Sequence, residues 1–161
     1  MVGGFCTIMK NGKWELENLT GKDHIRGALK AYRKSCFLDI GKLPEAMGWD
    51  TVDELLAQYH GWEVITDNSL HVKHLKPTGS NYSNKSGTRQ GLAFYRLRYG
   101  WLLASIASAK LAFQKKDFNL FVEYLKGFKS ASNEKQPFLV SEEEGRFIRN
   151  LRWKKMFQKI F

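Results

Sequence analysis

Charge is distributed unevenly along this chain of 161 residues, and this division constrains how the chain can fold. Residues 1–75 hold 9 basic and 10 acidic side chains, whereas residues 76–161 hold 17 basic and 6 acidic ones. Short apolar runs between turn residues in the first part indicate mixed α/β structure, and helical spacing in the second part indicates helices. We predict a mixed α+β portion over residues 1–80 and a basic helical region over residues 81–161, which should contact an anionic partner.

The composition excludes several classes of protein. A hydrophobic content of 43% and a charged content of 26% are typical of a globular chain. Two cysteines cannot form a disulfide framework, and the four histidines do not follow a zinc-finger spacing. The amino-terminal residues lack the pattern of a signal peptide, and the longest nearly uncharged stretch, residues 99–109, is too short to cross a bilayer. We therefore expect a cytoplasmic protein that does not span a membrane.

Local signals predict the elements of the first part. Residues 28–32 are a candidate extended segment, and residues 35–40 are a helical turn that Gly41 can end in the left-handed conformation. Thr51 and Glu54 fit a capping box that starts a helix, which Gly61 ends. Two further strands are predicted around a turn at Asp67 and Asn68, namely residues 62–66 and 70–75.

The second part is predicted to be helical throughout. One long helix covers residues 91–115, and a second covers residues 118–128 with Asp117 as its cap. A capping box of Ser141 and Glu144 precedes a last helix over residues 147–161. That last helix carries Arg149, Arg152, Lys154 and Lys155 among its apolar residues.

Polar residues beside turns are the candidates for chemistry. Asp50 precedes a predicted helix start, where it is either a support for the cap or a general base at the edge of a site. His71 and His74 are three residues apart on a predicted strand, so their side chains point to opposite faces and a joint metal site is not expected. His74 is the one placed beside Lys76 and a turn.

A second candidate site combines two polar residues with the two small residues that follow them. His24 and Arg26 come just before Gly27 and Ala28, where the small side chains either allow a ligand to approach the backbone or mark a bend. The sequence alone leaves both interpretations open.

Four segments together resemble the carboxyl-terminal part of family 2 glycosyltransferases. They are residues 23–41 (DHIRGALKAYRKSCFLDIG), residues 48–54 (GWDTVDE), Gly61 with Trp62, and residues 74–80 (HLKPTGS). In that family a Gly-Ala strand and an Ile-Gly turn lead to an acidic motif, a helix that ends in Gly-aromatic, and a strand that ends in histidine. The resemblance covers residues 20–80 and, more loosely, the helical tail.

The resemblance implies a GT-A-like fold and inverting transfer of a sugar from a nucleotide-sugar donor to a glycan or lipid-linked acceptor hydroxyl, as in polysaccharide biosynthesis. Asp50 matches the catalytic base, and His74 matches the histidine that reaches the divalent metal (Mn or Mg) on the donor diphosphate. Such an enzyme would lie peripherally at the inner face of the membrane. The substrate-binding residues expected from this match and its surroundings are His24, Arg26, Gly27, Ala28, Trp49, Asp53 and Lys76.

The sequence departs from the family pattern in its donor-binding features. The family's nucleotide-binding half, with its D-x-D metal motif, is absent from these residues, and Trp49 replaces the acidic residue that usually precedes the base. We therefore expect a truncated or fragmentary glycosyltransferase that is inactive by itself.

Two non-catalytic functions remain open. Basic and aromatic side chains interleave in one segment, which is a pattern of nucleic-acid binding: Tyr95, Arg96, Arg98, Tyr99 and Trp101. Basic amphipathic helices with Trp and Phe are also typical of helices that lie on anionic membranes. The alternative to an enzyme is therefore a basic helical module that binds nucleic acid or anionic membrane without catalysis.

Overall fold

The computed structural model describes residues 1–17, 24–25, 27–75 and 86–158. These residues form a mixed α and β fold, which confirms the mixed α+β class. The chain divides into two compact units, one of Met1–Glu45 with Trp49–Tyr82 and the other of Ala46–Gly48 with Ser83–Phe161. The predicted boundary near residue 80 lies outside the described residues, as do Arg26 and Lys76.

The first unit contains a small mixed sheet centred on β1. Its strands are β1 (Val2–Lys10), β2 (Lys13–Leu16), β3 (Lys30–Ala31) and β4 (Ile65–Lys73). Strand β1 pairs antiparallel with β2 and β3 and parallel with β4. Asn11 and Gly12 have φ values of 49° and 77°, the left-handed pair that a tight hairpin requires, and they join β1 to β2.

Strand β4 corrects the prediction of two strands around a turn. The structure has one strand whose pairing shifts register: Gly3 pairs with Thr66, and Phe5 then pairs with His71. The residues where the register shifts make the hydrogen bonds of a turn: the Asp67 carboxylate accepts from the backbone N and the Oγ of Ser69 at 2.8 and 2.7 Å. An Asx turn therefore makes a bulge here instead of separating two strands.

The helices of the first unit differ from prediction at their starts. Of the predicted extended segment 28–32, Lys30–Ala31 is a strand (β3), and a 3-10 turn, Gly27–Leu29, precedes it. Helix α1 (Lys34–Asp39) is followed by Gly41 at φ 73°, which confirms the predicted stop. Helix α2 (Trp49–Tyr59) begins two residues before Thr51, so the predicted capping box is wrong. Its Glu54 carboxylate instead accepts a hydrogen bond from the Ile25 backbone N at 2.8 Å.

The described residues of the second unit form four helices: α3 (Ser86–Arg96), α4 (Gly100–Gln114), α5 (Phe118–Asn133) and α6 (Glu142–Phe157). The predicted helix over residues 91–115 is broken, because Arg98 and Gly100 adopt φ values of 55° and 72°. The Asp117 cap and the capping box of Ser141 and Glu144 are both confirmed.

Two glycines allow α3 and α5 to approach closely. A Cβ at Gly91 would overlap the carbonyl oxygen of Tyr124 and lie 2.6 Å from the backbone N of Phe128. A Cβ at Gly127 would lie 2.7 Å from the Cα of Thr88. The buried side chains of this unit include Phe94, Leu97, Tyr99, Leu103, Tyr124, Phe128 and Ile148.

Candidate functional site

Three carboxylates lie on the first two turns of α2 and face the segment that leads into α1. They are Asp50, Asp53 and Glu54, and the side chains that meet them are those of His24, Lys30 and Tyr32. We call these six residues the carboxylate cluster. The sequence favours this placement, because Asp50, Asp53 and Glu54 recur at spacings of three and four on one side of a helix.

Lys30 is the buried cation of the carboxylate cluster. Its Nζ lies 2.8 Å from Asp53 Oδ1 and 3.0 Å from Glu54 Oε1, and it also donates to the backbone oxygen of Asp50. The same nitrogen lies 5.8 Å from the centroid of the Trp49 ring. Lys30 therefore holds the start of α2 against β3 through charge-assisted hydrogen bonds.

Tyr32 provides a further hydrogen bond to the Asp53 carboxylate. Its hydroxyl donates to Asp53 Oδ2, while Asp53 Oδ1 accepts from Lys30 and from the backbone N of Glu54 at 2.6 Å. Burial and the neighbouring Asp53 carboxylate raise the pKa of Tyr32 well above its ordinary value. Tyr32 is thus a neutral hydrogen-bond donor at physiological pH.

His24 bridges two carboxylates of the cluster. Its Nδ1 lies 3.0 Å from Glu54 Oε2, and its Nε2 lies 3.6 Å from Asp50 Oδ2. Burial lowers the pKa of His24, but the hydrogen bonds and charges of Asp50 and Glu54 outweigh it and raise that pKa to about 9. The imidazole is therefore positively charged at neutral pH.

Asp50 is the accessible carboxylate of the cluster. Its side chain is 35% exposed, compared with 0% for Asp53 and 7% for Glu54. Burial raises the pKa of Asp50, but the hydrogen bond from His24 and the charges of His24 and Lys30 outweigh this and hold the pKa below its ordinary value. Asp50 is therefore an ionised group that solvent and a ligand can reach.

The backbone at Gly27 approaches the start of α2 closely. A Cβ at this position would lie 2.6 Å from Cζ2 and 2.8 Å from Cη2 of the half-buried Trp49, and 3.3 Å from Cβ of Asp50. Ala28 follows in the 3-10 turn. The structure thus brings five of the expected site residues into one region: His24, Gly27, Trp49, Asp50 and Asp53.

His74 lies at a different place, directly after β4. Its backbone N donates to Thr7 at 2.7 Å, and its Nδ1 lies 2.9 Å from Oε2 of the buried Glu17. His71 has other neighbours, because its ring lies 5.8 Å from that of Phe5 and its Nε2 lies 3.0 Å from the carbonyl oxygen of Asn68. The two histidines therefore differ in environment.

The described residues do not make a metal site by themselves. In residues 1–17, 24–25, 27–75 and 86–158, no group of three or more His, Cys, Asp or Glu side chains is arranged to hold a metal ion. His74 could supply one ligand through Nε2, with Glu17 fixing the ring through Nδ1. One imidazole by itself is not a metal site.

The basic and aromatic residues after position 94 are largely used in packing. Tyr95 stacks on Phe138 at 4.9 Å between ring centroids, and the buried Tyr99 stacks on Phe94 at 5.2 Å. Arg96 and Arg98 donate through Nε to the carbonyl oxygens of Pro137 and Val140, both at 3.0 Å. Trp101 is the exposed member of this set.

Several parts of the site were not predicted from the sequence. They are Lys30, Tyr32, Glu17 and the ion pairs that Glu54 makes. Lys30 and Tyr32 are two residues apart in an extended segment, a spacing that places them on one face, and this signal could have been used. The pairing of Glu17 with His74 spans 57 positions and has no local signal.

Comparison with known proteins does not assign a family. No family model matches the chain, and neither a search of curated proteins nor a search of solved structures finds a similar protein. Within the part of the chain that the structure describes, no helix is long and apolar enough to cross a membrane.

Proposed function

We propose that this chain is the acceptor side of an inverting family 2 glycosyltransferase with a GT-A-like fold, and that Asp50 is its general base. The observation that carries the proposal is the accessibility of Asp50 beside two buried, paired carboxylates. In the proposed reaction, Asp50 takes the proton of an acceptor hydroxyl as that oxygen bonds to the anomeric carbon. The bond from this carbon to the donor diphosphate breaks, and the diphosphate leaves with the electron pair.

The other residues of the carboxylate cluster would position Asp50. Lys30, Asp53 and Glu54 fix the start of α2 through buried ion pairs, so the base does not need ordering when substrate arrives. His24 holds the Asp50 carboxylate in its ionised form. These residues act through Asp50 and are proposed as positioning residues.

Trp49 is the proposed surface for a sugar ring. It is half-buried and lies against the backbone of Gly27, next to Asp50 in the chain. The face of an aromatic ring binds the apolar face of a sugar, and the absence of a side chain at Gly27 keeps the two elements in contact. Acceptor binding would thus occur beside the base.

His74 is the proposed contact for the donor diphosphate or for a divalent cation that arrives with it. The Glu17 carboxylate engages Nδ1, which directs Nε2 to a ligand. Since the described residues do not make a metal site, no step of the reaction is assigned to a metal held by this chain. Under this proposal, donor binding depends on the nucleotide-binding half of such an enzyme.

The proposal is tested in the organism whose gene encodes the chain. Disrupting that gene should remove one glycan or one lipid-linked intermediate from the extract, as measured by mass spectrometry, and the wild-type gene should restore it. Asp50→Asn should fail to restore it, whereas Glu45→Gln should succeed, because Glu45 is an exposed carboxylate outside the cluster. An unchanged glycan profile after disruption would contradict the proposal.

The non-catalytic alternative predicts a different result. A basic module that binds nucleic acid or membrane would give equal complementation by Asp50→Asn and by the wild type. The aromatic side chains that could stack on bases are mostly packed into the helical unit, so the structure adds no support for nucleic-acid binding.

A further inference from the structure

Helix α4 is apolar on its exposed side as well as on its packed side. Lys110 is the one charged residue in its sequence, GWLLASIASAKLAFQ. The inward side carries the buried Leu103, Ala104, Ser108 and Ala112. The outward side carries exposed apolar residues at spacings of four and seven, namely Leu102, Ile106 and Phe113. A helix that is apolar all round is normally covered on every side, so the outward face needs an occupant.

This face continues into the turn between α4 and α5. Phe113 and Phe118 are 86% and 76% exposed, and they flank Lys115 and Lys116. We call residues 113–118 the Phe-Lys turn. The exposed Val122 lies one helical turn beyond Phe118 on α5 and extends the apolar area. The segment also contains Asp117, which caps α5, so its net charge is that of two lysines less one carboxylate. Two highly exposed phenylalanines beside this net positive charge combine insertion and charge attraction in one short segment.

We infer that the Phe-Lys turn and the outer face of α4 dock on an anionic lipid bilayer. Phenylalanine side chains enter the boundary between headgroups and acyl chains, while lysines beside them contact the anionic headgroups. The charge around the turn is complementary to such a surface, because residues 100–133 hold five lysines and two acidic residues. This inference does not depend on the proposed sugar transfer.

The proposed docking surface does not include the basic residues of α6, although the sequence pattern is typical of membrane-surface helices over residues 91–128 and 147–161 alike. Arg149 donates through Nη1 to the backbone oxygen of Arg98 at 2.7 Å, and Arg152 donates through Nε to the hydroxyl of Tyr99 at 3.1 Å. These two arginines therefore tie α6 to the rest of the helical unit. Among the described helices of this unit, α4 and the Phe-Lys turn carry five large exposed apolar side chains (Trp101, Leu102, Ile106, Phe113 and Phe118), whereas α6 carries Phe157.

Cosedimentation of the full chain with vesicles of phosphatidylserine and phosphatidylcholine tests the inference. Lys115→Gln with Lys116→Gln should weaken binding about 25-fold, since each lysine near an anionic surface contributes about fivefold. Phe113→Ser with Phe118→Ser should weaken it about tenfold or more, through lost apolar burial. The matched control, Arg146→Gln with Lys154→Gln, changes two exposed cations of α6 and should alter binding less than about twofold.

A fluorophore placed at the turn measures insertion directly. The two native cysteines are buried, so Phe113→Cys can be labelled selectively with an environment-sensitive dye. Its emission should shift to shorter wavelength with anionic vesicles, whereas a dye at the exposed Asn150→Cys of α6 should not respond.

Three results would overturn the inference. One is absence of vesicle binding at low salt, and another is loss of binding in the α6 variant while the Phe-Lys variants bind normally. The third is that single-stranded RNA displaces the vesicles and stays bound at about 0.2 M salt. Purely electrostatic contacts weaken sharply at that salt concentration, so such binding would be specific to nucleic acid. That third result would assign the surface to nucleic acid.

Discussion

Replacing Lys30 with methionine should strongly destabilise the α/β unit. The Nζ of Lys30 is buried and lies 2.8 Å from Asp53 Oδ1 and 3.0 Å from Glu54 Oε1. Methionine keeps much of the side-chain volume but removes the charge and all the donors. Two carboxylates that are almost fully buried would then face each other without their shared cation.

The size of the effect follows from the burial of these groups. Removing one partner of a buried ion pair costs about 3–5 kcal/mol, because the remaining charge is uncompensated. A domain is stable by about 5–15 kcal/mol, so Lys30→Met should remove about a fifth or more of that free energy of unfolding. Adding Asp53→Asn to Lys30→Met should recover about 2 kcal/mol, because one of the unpaired charges is then gone.

Urea denaturation at pH 7, followed by tryptophan fluorescence and circular dichroism, measures both effects. Lys34→Met is the matched control, since Lys34 is exposed at the start of α1 and should change the unfolding free energy by less than about 0.5 kcal/mol. The reasoning would be refuted if Lys30→Met cost no more than Lys34→Met, or if Asp53→Asn destabilised the double variant further.

Three other predictions concern separate features. The pKa of His24 is about 9 in the folded chain against 6.5 ordinarily, so its stabilisation is complete below pH 6.5 and lost as the pH rises through 9. Unfolding titrations should show a fall of about 1–2 kcal/mol, discounted for solvent screening, and His24→Gln should flatten this pH profile. Gly91→Ala places a Cβ on the Tyr124 carbonyl and should lower helical-unit stability by about 2 kcal/mol or more in thermal unfolding; a loss below about 1 kcal/mol would argue against the close approach. His74→Ala should weaken binding of the nucleotide-sugar donor by the complete enzyme in calorimetry, whereas His71→Ala should leave it unchanged; the reverse pattern would exchange their proposed roles.

Local signals predicted the helix ends where the cap chemistry is contained within a few residues. The Ser141 and Glu144 box and the Asp117 cap involve partners two or three positions away, so the sequence contains the whole interaction. The same logic failed for Thr51 and Glu54. There the Glu54 carboxylate bonds to Ile25 and Lys30, which are distant in sequence.

Two features of the fold that were not predicted have local signals in the sequence. Asn11-Gly12 between alternating residues is a strong hairpin signal, and it joins β1 to β2. Gly100 lies inside the predicted helix over residues 91–115, and its left-handed φ marks the break. Apolar spacing continues across this break, which explains why periodicity alone predicted one helix.

The candidate site was predictable in its residue types but not in its pairing. Asp50 was identified from its position near a helix start, and it is the accessible carboxylate. Its companions could not be assigned from spacing, because Lys30 and Asp53 are 23 positions apart and meet only when β3 packs on α2. The exposed face of α4 likewise became visible only when packing had divided its apolar residues into inner and outer sets.

The rate of sugar transfer with Asp50→Asn tests the central claim most directly. Membranes of the disrupted strain, carrying the wild-type gene, Asp50→Asn or Glu45→Gln, would be supplied with a panel of labelled nucleotide sugars. Loss of the general base should lower transfer into the acceptor by about 10²–10⁴-fold, with donor binding and folding nearly unchanged, while Glu45→Gln keeps the wild-type rate. An Asp50→Asn variant that retains about a third of the wild-type rate would contradict the account, because a loss that small is far below the contribution of a general base.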